Sequence, residues 1–269
     1  MSGSLGMLAS TLPVQWLLPT LGWRPLFSGL ACLLLLAIAV LAWRVPNWTV
    51  TGAGSQPAVA PAGYTAVWRH PYFRAMAPVG FFCYGGLLAE QTLWAVPWMI
   101  NTARYTPLQA ATGLFWINLA MLCAFWSWGM ASPWLARHGL HASRLMACGL
   151  PVSFCLLATI IVASDDFPAW TGAMLALYCV SCSFVTPSQP AVGMAFAPEL
   201  AGRALSAYNL VIFAGVFVIQ WGIGLMIDAL KGLGASQAAA FQWAFAAFLA
   251  CCVASYLHFL RASIHNQTA

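Results

Sequence analysis

Apolar residues along this chain come in long unbroken runs, not in alternation. Leu33-Leu34-Leu35-Leu36 and Ile160-Ile161-Val162 are samples of stretches that continue for about 19 residues or more. A helix that crosses ~30 Å of hydrocarbon needs ~20 mostly apolar residues. Eight stretches meet that length, at roughly 3–21, 25–43, 75–100, 108–136, 145–163, 169–192, 204–228 and 237–260. Strands of a membrane barrel would alternate lipid-facing and lumen-facing positions over ~10 residues, and these runs do not. The pattern predicts an all-α polytopic membrane helix bundle of about eight transmembrane helices.

Polar residues set the organisation between those runs. Most links are short, but residues 44–74 read RVPNWTVTGAGSQPAVAPAGYTAVWRHPYFR, rich in Gly, Pro, Ser and Ala and without a sustained apolar period. They predict a flexible linker. The chain therefore divides into a two-helix piece (1–43), a linker (44–74) and a six-helix piece (75–269).

Composition agrees and adds one constraint. Hydrophobic residues are 62% of the chain and charged residues 6%, against roughly 25% charged in soluble domains. The partner of such a surface is a lipid bilayer, and the net charge of +5 gives no reason to expect nucleic acid. The placement of the basic residues carries more information than their sum. With 44–74 on the cytoplasmic side, Arg44, Arg69, Arg74, Arg137, Arg144, Arg203 and Arg261 fall inside, and Arg24, Arg104 and Lys231 fall outside. That obeys the positive-inside rule and puts both termini in the cytoplasm; Asp165, Asp166 and Asp228 fall outside or at that edge. The first residues carry no basic n-region of a signal peptide. Most of the nine cysteines lie within apolar runs and read as small packing residues. Cys179-Val180-Ser181-Cys182 has no second pair, so no metal site and no cofactor are expected. The histidines have no ligand spacing such as H-E-x-x-H, and no phosphate loop or nucleophile set is present. An enzyme is not expected.

Particular motifs then suggest a family. The first segment and its turn, GSLGMLASTLPVQWLLPTLGWRPLF, resemble the fifth helix and following turn of bacterial major facilitator superfamily transporters, with Gly22-Trp23-Arg24-Pro25-Leu26-Phe27 matching G-W-R-x-x-F. The stretch PELAGRALSAYNLVIFAGVFVIQWGIGLMID resembles the family's tenth-to-eleventh connection and eleventh helix. The resemblance covers essentially the whole chain and implies that the eight segments correspond to helices five through twelve of a twelve-helix fold, which leaves that fold incomplete. It implies secondary-active transport of a small solute, coupled to a proton or another ion, in a bacterial inner membrane. The alternative is a truncated or incompletely called chain that transports nothing by itself and acts as a membrane scaffold. One departure is visible: Gly129 to Gly139, where the family repeats its loop motif, lacks the motif's Asp.

Candidate chemistry is confined to a few intramembrane polar residues. Glu90 stands near the middle of its segment; a mid-bilayer carboxyl is costly and faces a cavity or a partner, where it can carry a proton. At helical spacing Cys83, Gly86, Glu90, Trp94 and Pro97 share one face, and Gln91 is a neighbouring contact. Asn118, Asn209, Gln220 and Gln15 are further polar positions, each able to tie two helices together for ~1 kcal/mol. Asn209 and Gln220 lie only ~20° apart around one helix, so together they form a polar stripe that lines a cavity or meets one neighbour. Glu90, Gln91, Asn118, Asn209 and Gln220 are thus the substrate- or proton-coupling candidates. Small residues Gly3, Gly6 and Ser10 allow close approach of the first segment. Pro78, Pro97, Pro151, Pro187 and Pro190 predict kinks, and Thr186-Pro187-Ser188-Gln189-Pro190 reads as the end of the sixth segment in preference to a break within it.

Overall fold

The computed structural model describes residues 12–44, 63–163 and 168–265, with Gly6 ahead of them; the side chains of residues 12, 13, 15 and 263–265 are outside that description. Gly3, Ser10, the Gln15 side chain, most of the linker (45–62), and Asp165 and Asp166 therefore lie outside the described residues. Within them the chain is an all-α bundle of nine helices. These are α1 (Leu12–Leu21), α2 (Trp23–Arg44), α3 (Tyr64–Arg69), α4 (71–101), α5 (Pro107–Arg137), α6 (Ala142–Ala163), α7 (Pro168–Met194), α8 (Pro198–Gly232) and α9 (Gln237–His265).

Six of them, α2 and α5 to α9, are long and apolar enough to cross a membrane. Their outward faces are oily: Leu34, Leu35, Ile38, Phe213, Phe217 and Trp221 are each at least 60% exposed. Large apolar side chains exposed in such number have no stable place in water, so the chain is a multi-pass membrane protein with six candidate spans. Each helix matches one of the apolar runs in the sequence, α3 excepted. The end of the linker is itself structured, since α3 buries Val67 and sets Trp68 edge-on to Phe73 with ring centroids 5.1 Å apart.

Sharp turns between spans rest on glycine. Gly139 closes α5 at φ +71°, and Gly234 closes α8 at φ +92°. At each, the amide of the following residue (Leu140, Ala235) reaches back to the carbonyl of Leu135 or Leu230 at 3.0 Å. That is the left-handed helix stop which side chains beyond Cα disfavour. Because the connectors are short, neighbouring helices run antiparallel. Arg69, Arg74, Arg137, Arg144, Arg203 and Arg261 consequently gather at one end of the bundle, while Arg104 and Lys231 mark the other.

The core lies between two groups of three helices, α4–α6 and α7–α9. Across the groups α4 packs on α8 and α5 on α7; α4 packs on α9 and α6 on α7; and α6 packs on α9. Exchanging the two groups maps each of these contacts onto another or onto itself. The tightest crossing is α4 with α8. A Cβ on Gly215 would collide with the Phe81 carbonyl oxygen, and one on Gly85 would stand 2.8 Å from the Ile212 carbonyl oxygen. Backbone therefore meets backbone there.

The first helix of each group departs from regular α geometry. In α4 the backbone stays right-handed helical but widens into two π turns, Gly80–Tyr84 and Glu90–Trp94, marked by Gly85 N–H donating to Gly80 and Ala95 N–H donating to Glu90. The second π turn comes just before Pro97, whose ring would otherwise press on the carbonyl of Leu93. In α7 a 3-10 turn, Ser183–Val185, and the turn residues Thr186 and Pro187 interrupt the helix, which then resumes as Ser188–Met194. This corrects the sequence expectation of a helix end there. Pro187 breaks the α-helical ladder, but Pro190, in the first turn of the next stretch, lacks an N–H that the helix would leave unbonded anyway. Pro151, by contrast, sits within α6 without interrupting it.

Candidate functional site

Four helices, α4, α5, α7 and α8, surround a cavity of about 570 Å³. The α4 wall brings Tyr84, Leu88 and Gln91; the α5 wall brings Phe125, Trp128 and Ser132. The break in α7 turns Thr186 and Gln189 toward it, and α8 supplies Asn209 and Phe213. The lining thus mixes a few amides and hydroxyls with aromatic rings and with aliphatic surface from Leu88, Pro187, Pro190 and Ile212, and no charged side chain joins them among the described residues.

Hydrogen bonds fix these amides. Gln189 Nε2 donates to Asn209 Oδ1 at 2.6 Å, tying α7 to α8. Gln91 Nε2 donates to Asn118 Oδ1 at 2.7 Å, tying α4 to α5. The Gln91 Oε1 is buried and without a partner among the described residues. Trp128 donates its indole N–H to Ser183 Oγ at 2.8 Å and packs edge-on to Phe184, which joins α5 to α7 beside the cavity. Behind the α7 break Tyr208 O–H donates to Ser188 Oγ at 2.9 Å.

Compared with known protein families, curated proteins and solved structures, the chain matches none. The function of the site therefore rests on its own geometry.

The five residues singled out from sequence are placed differently from one another. Gln91 and Asn209 line the cavity. Asn118 is buried and reaches the site through Gln91. Gln220 shares the helix face of Asn209 but lies outside the cavity lining, where its Nε2 donates to Thr92 Oγ1 at 3.0 Å; it meets a neighbouring helix. Glu90, one residue from Gln91, is buried and is not part of the cavity lining. It is 1% exposed, and neither carboxyl oxygen has a hydrogen-bond partner among the described residues. The α4 face predicted around it packs on α9: Cys83 stands 3.7 Å from Ser255 Oγ, Gly86 sits under the Phe248 ring, and Trp94 meets Phe241 edge-on. Glu90 itself is within electrostatic reach of Tyr178 and Cys179 on α7.

Tyr84, Trp128, Ser132 and Gln189 are site residues that sequence reasoning misses. Gln189 is the legible one, because it stands in the cluster Thr186-Pro187-Ser188-Gln189-Pro190 already marked as a helix end or break. Trp128 and Tyr84 give no signal separable from packing aromatics.

The Gln91–Asn118 bond yields a small, local expectation. Replacing either residue with Ala leaves the other amide buried without a partner, at a cost of ~1–3 kcal/mol. In a double-mutant cycle by thermal unfolding in detergent, the pair should show favourable coupling of ~0.5–1.5 kcal/mol. Strict additivity would mean that this bond does not hold the site together.

Proposed function

We propose that this chain is a secondary-active transporter of the major facilitator type, moving a small uncharged polar solute together with a proton. In this reading residues 1–43 end the first half of the transporter fold, 44–74 form its central loop and 75–269 form the second half. The Arg-rich end faces the cytoplasm of a bacterial inner membrane.

The observation that carries the reading is an uncharged cavity bearing several amides and hydroxyls, framed by one helix with π turns and one broken helix. Irregular backbone at membrane depth is tolerated where it lines a cavity, and transporters place their substrate sites at such breaks between repeated units. The α4 and α7 helices hold equivalent places in the two groups of three, both depart from regular α geometry, and Gln91 lies in the second π turn of α4 while Gln189 lies just past the break in α7. The exchange symmetry of the helix contacts is what an inverted three-plus-three repeat produces. An uncharged solute follows from the lining: an ion brought out of water needs an opposite charge or several aligned dipoles, and amides and hydroxyls offer hydrogen bonds instead. Glu90 supplies the coupling. A lone carboxyl without a partner is tolerated in such a place when it holds a proton, and its neighbour in the chain lines the solute cavity.

Flux into liposomes tests this. Purified protein is reconstituted, a proton gradient is imposed, and uptake is measured for a panel of radiolabelled hexoses, nucleosides, amino acids and carboxylic acids. One uncharged member should accumulate, and Asn209→Ala or Gln189→Ala should reduce its uptake at least ~10-fold, the effect of losing ~1.4 kcal/mol of binding. Uptake no greater than in empty liposomes across the whole panel, from protein shown to be folded, would reject the reading.

A further inference from the structure

A second cavity lies on the outside of the bundle, away from the solute site, and its chemistry is different. It is a groove of about 1100 Å³ bounded by α4, α8 and α9. One wall is the α4 face carrying Pro71, Arg74, Pro78 and Phe81; the opposite walls bring Leu210 and Ala214 from α8, and His258 and Ala262 from α9. The floor is apolar and the rim is basic. Arg74 and His258 are the charged or ionisable residues in the lining, and no acidic side chain joins them among the described residues. Both are exposed, so their polar heads are free to meet a ligand at the rim.

We propose that this groove binds an anionic phospholipid, one acyl chain lying in the apolar trough and the phosphate resting on Arg74 and His258. Three observations set this occupant apart from ordinary lipid contact. The trough runs lengthwise: from Arg74 to Phe82 is roughly 12 Å along α4 at ~1.5 Å per residue, enough for most of one chain's upper half. It opens at the end of the bundle where Arg69, Arg74 and Arg261 gather, the end that a negatively charged leaflet attracts. Trp68 stands at the same rim, 44% exposed, as an interfacial aromatic does. A guanidinium binds phosphate with paired N–H donors, whereas a zwitterionic headgroup cancels that advantage with its own ammonium.

Lipid binding in the groove does not depend on transport, so the test reads lipid alone. Protein purified in a mild detergent is titrated with phosphatidylglycerol or with phosphatidylcholine of the same acyl chains, and bound lipid is counted by native mass spectrometry. Phosphatidylglycerol should remain attached at collision energies that strip phosphatidylcholine. Arg74→Gln should lower its apparent affinity at least ~5-fold, and Arg74→Gln with His258→Gln further, while Arg137→Gln at the same end of the bundle leaves it unchanged. Ala214→Trp, which fills the trough, should lower binding of both lipids. Equal retention of the two lipids, or an Arg137→Gln effect as large as that of Arg74→Gln, would overturn the site in favour of diffuse attraction to a basic surface.

Discussion

Glu90→Gln protein should fold and bind solute as the parent does, yet lose the ability to concentrate that solute against its gradient. The substitution keeps the side-chain shape and removes the titrating group from a position with no counter-ion among the described residues, so melting temperature should hold or rise. The loss falls on coupling. A gradient of ~1 pH unit supports ~10-fold accumulation for each proton carried, because ~1.4 kcal/mol corresponds to a factor of ten. With two units imposed, parent protein should approach ~100-fold accumulation at one proton per solute, and the variant should stop near equal concentrations on the two sides. Solute exchange without a gradient should survive, which separates lost coupling from lost binding. A variant that still accumulates solute would remove Glu90 from the coupling step and leave its burial as a packing matter.

The second large effect is expected where α4 and α8 touch. A methyl group on Gly215 would overlap the Phe81 carbonyl oxygen, an atom fixed in a helix and unable to rotate aside. Gly215→Ala must spread the two helices, which by analogy with overpacked cores costs ~1–3 kcal/mol or more. Gly222→Ala, two turns further along the same helix, has open space around the new methyl and gains helix propensity, up to ~1 kcal/mol. The same chemical change should thus act in opposite directions. Thermal unfolding in detergent, followed by intrinsic fluorescence, would show a clear drop for Gly215→Ala and none for Gly222→Ala. Equal melting temperatures would mean that the two backbones cross at a greater distance.

Much of this architecture is legible in the sequence because lipid makes a simple demand. A span must be long and apolar, so segments such as 204–228 and 237–260 stand out without reference to any neighbour. The amide pairs are another matter. Asn118 and Gln91 are visible as polar residues in apolar runs, but 27 positions separate them and only the packing of α4 against α5 brings them together. Regular 3.6-residue geometry correctly groups Cys83, Gly86 and Trp94 on the face that packs on α9, but the π turns within α4 are not legible, Pro97 marking only the neighbourhood of the second. Gln220 shows the limit of periodicity from the other side: its angular position beside Asn209 is right, but the cavity does not extend to its depth. The break in α7 lies within a visible cluster of polar residues and prolines, but a proline that stops a helix and one that interrupts it look alike until the seven residues beyond are seen to resume the helix.

The two matched seams of the bundle differ in compliance. Where α4 meets α8, glycine brings the two backbones into direct contact, and backbone held in a helix has no side-chain torsion with which to yield. Where α5 meets α7, the helices pack extensively too, and the Trp128 indole and Ser183 hydroxyl that bond across the seam rotate about side-chain bonds. Added bulk should therefore be felt differently at the two seams: at the glycine seam it meets fixed backbone, and at the tryptophan seam a side chain that can turn aside.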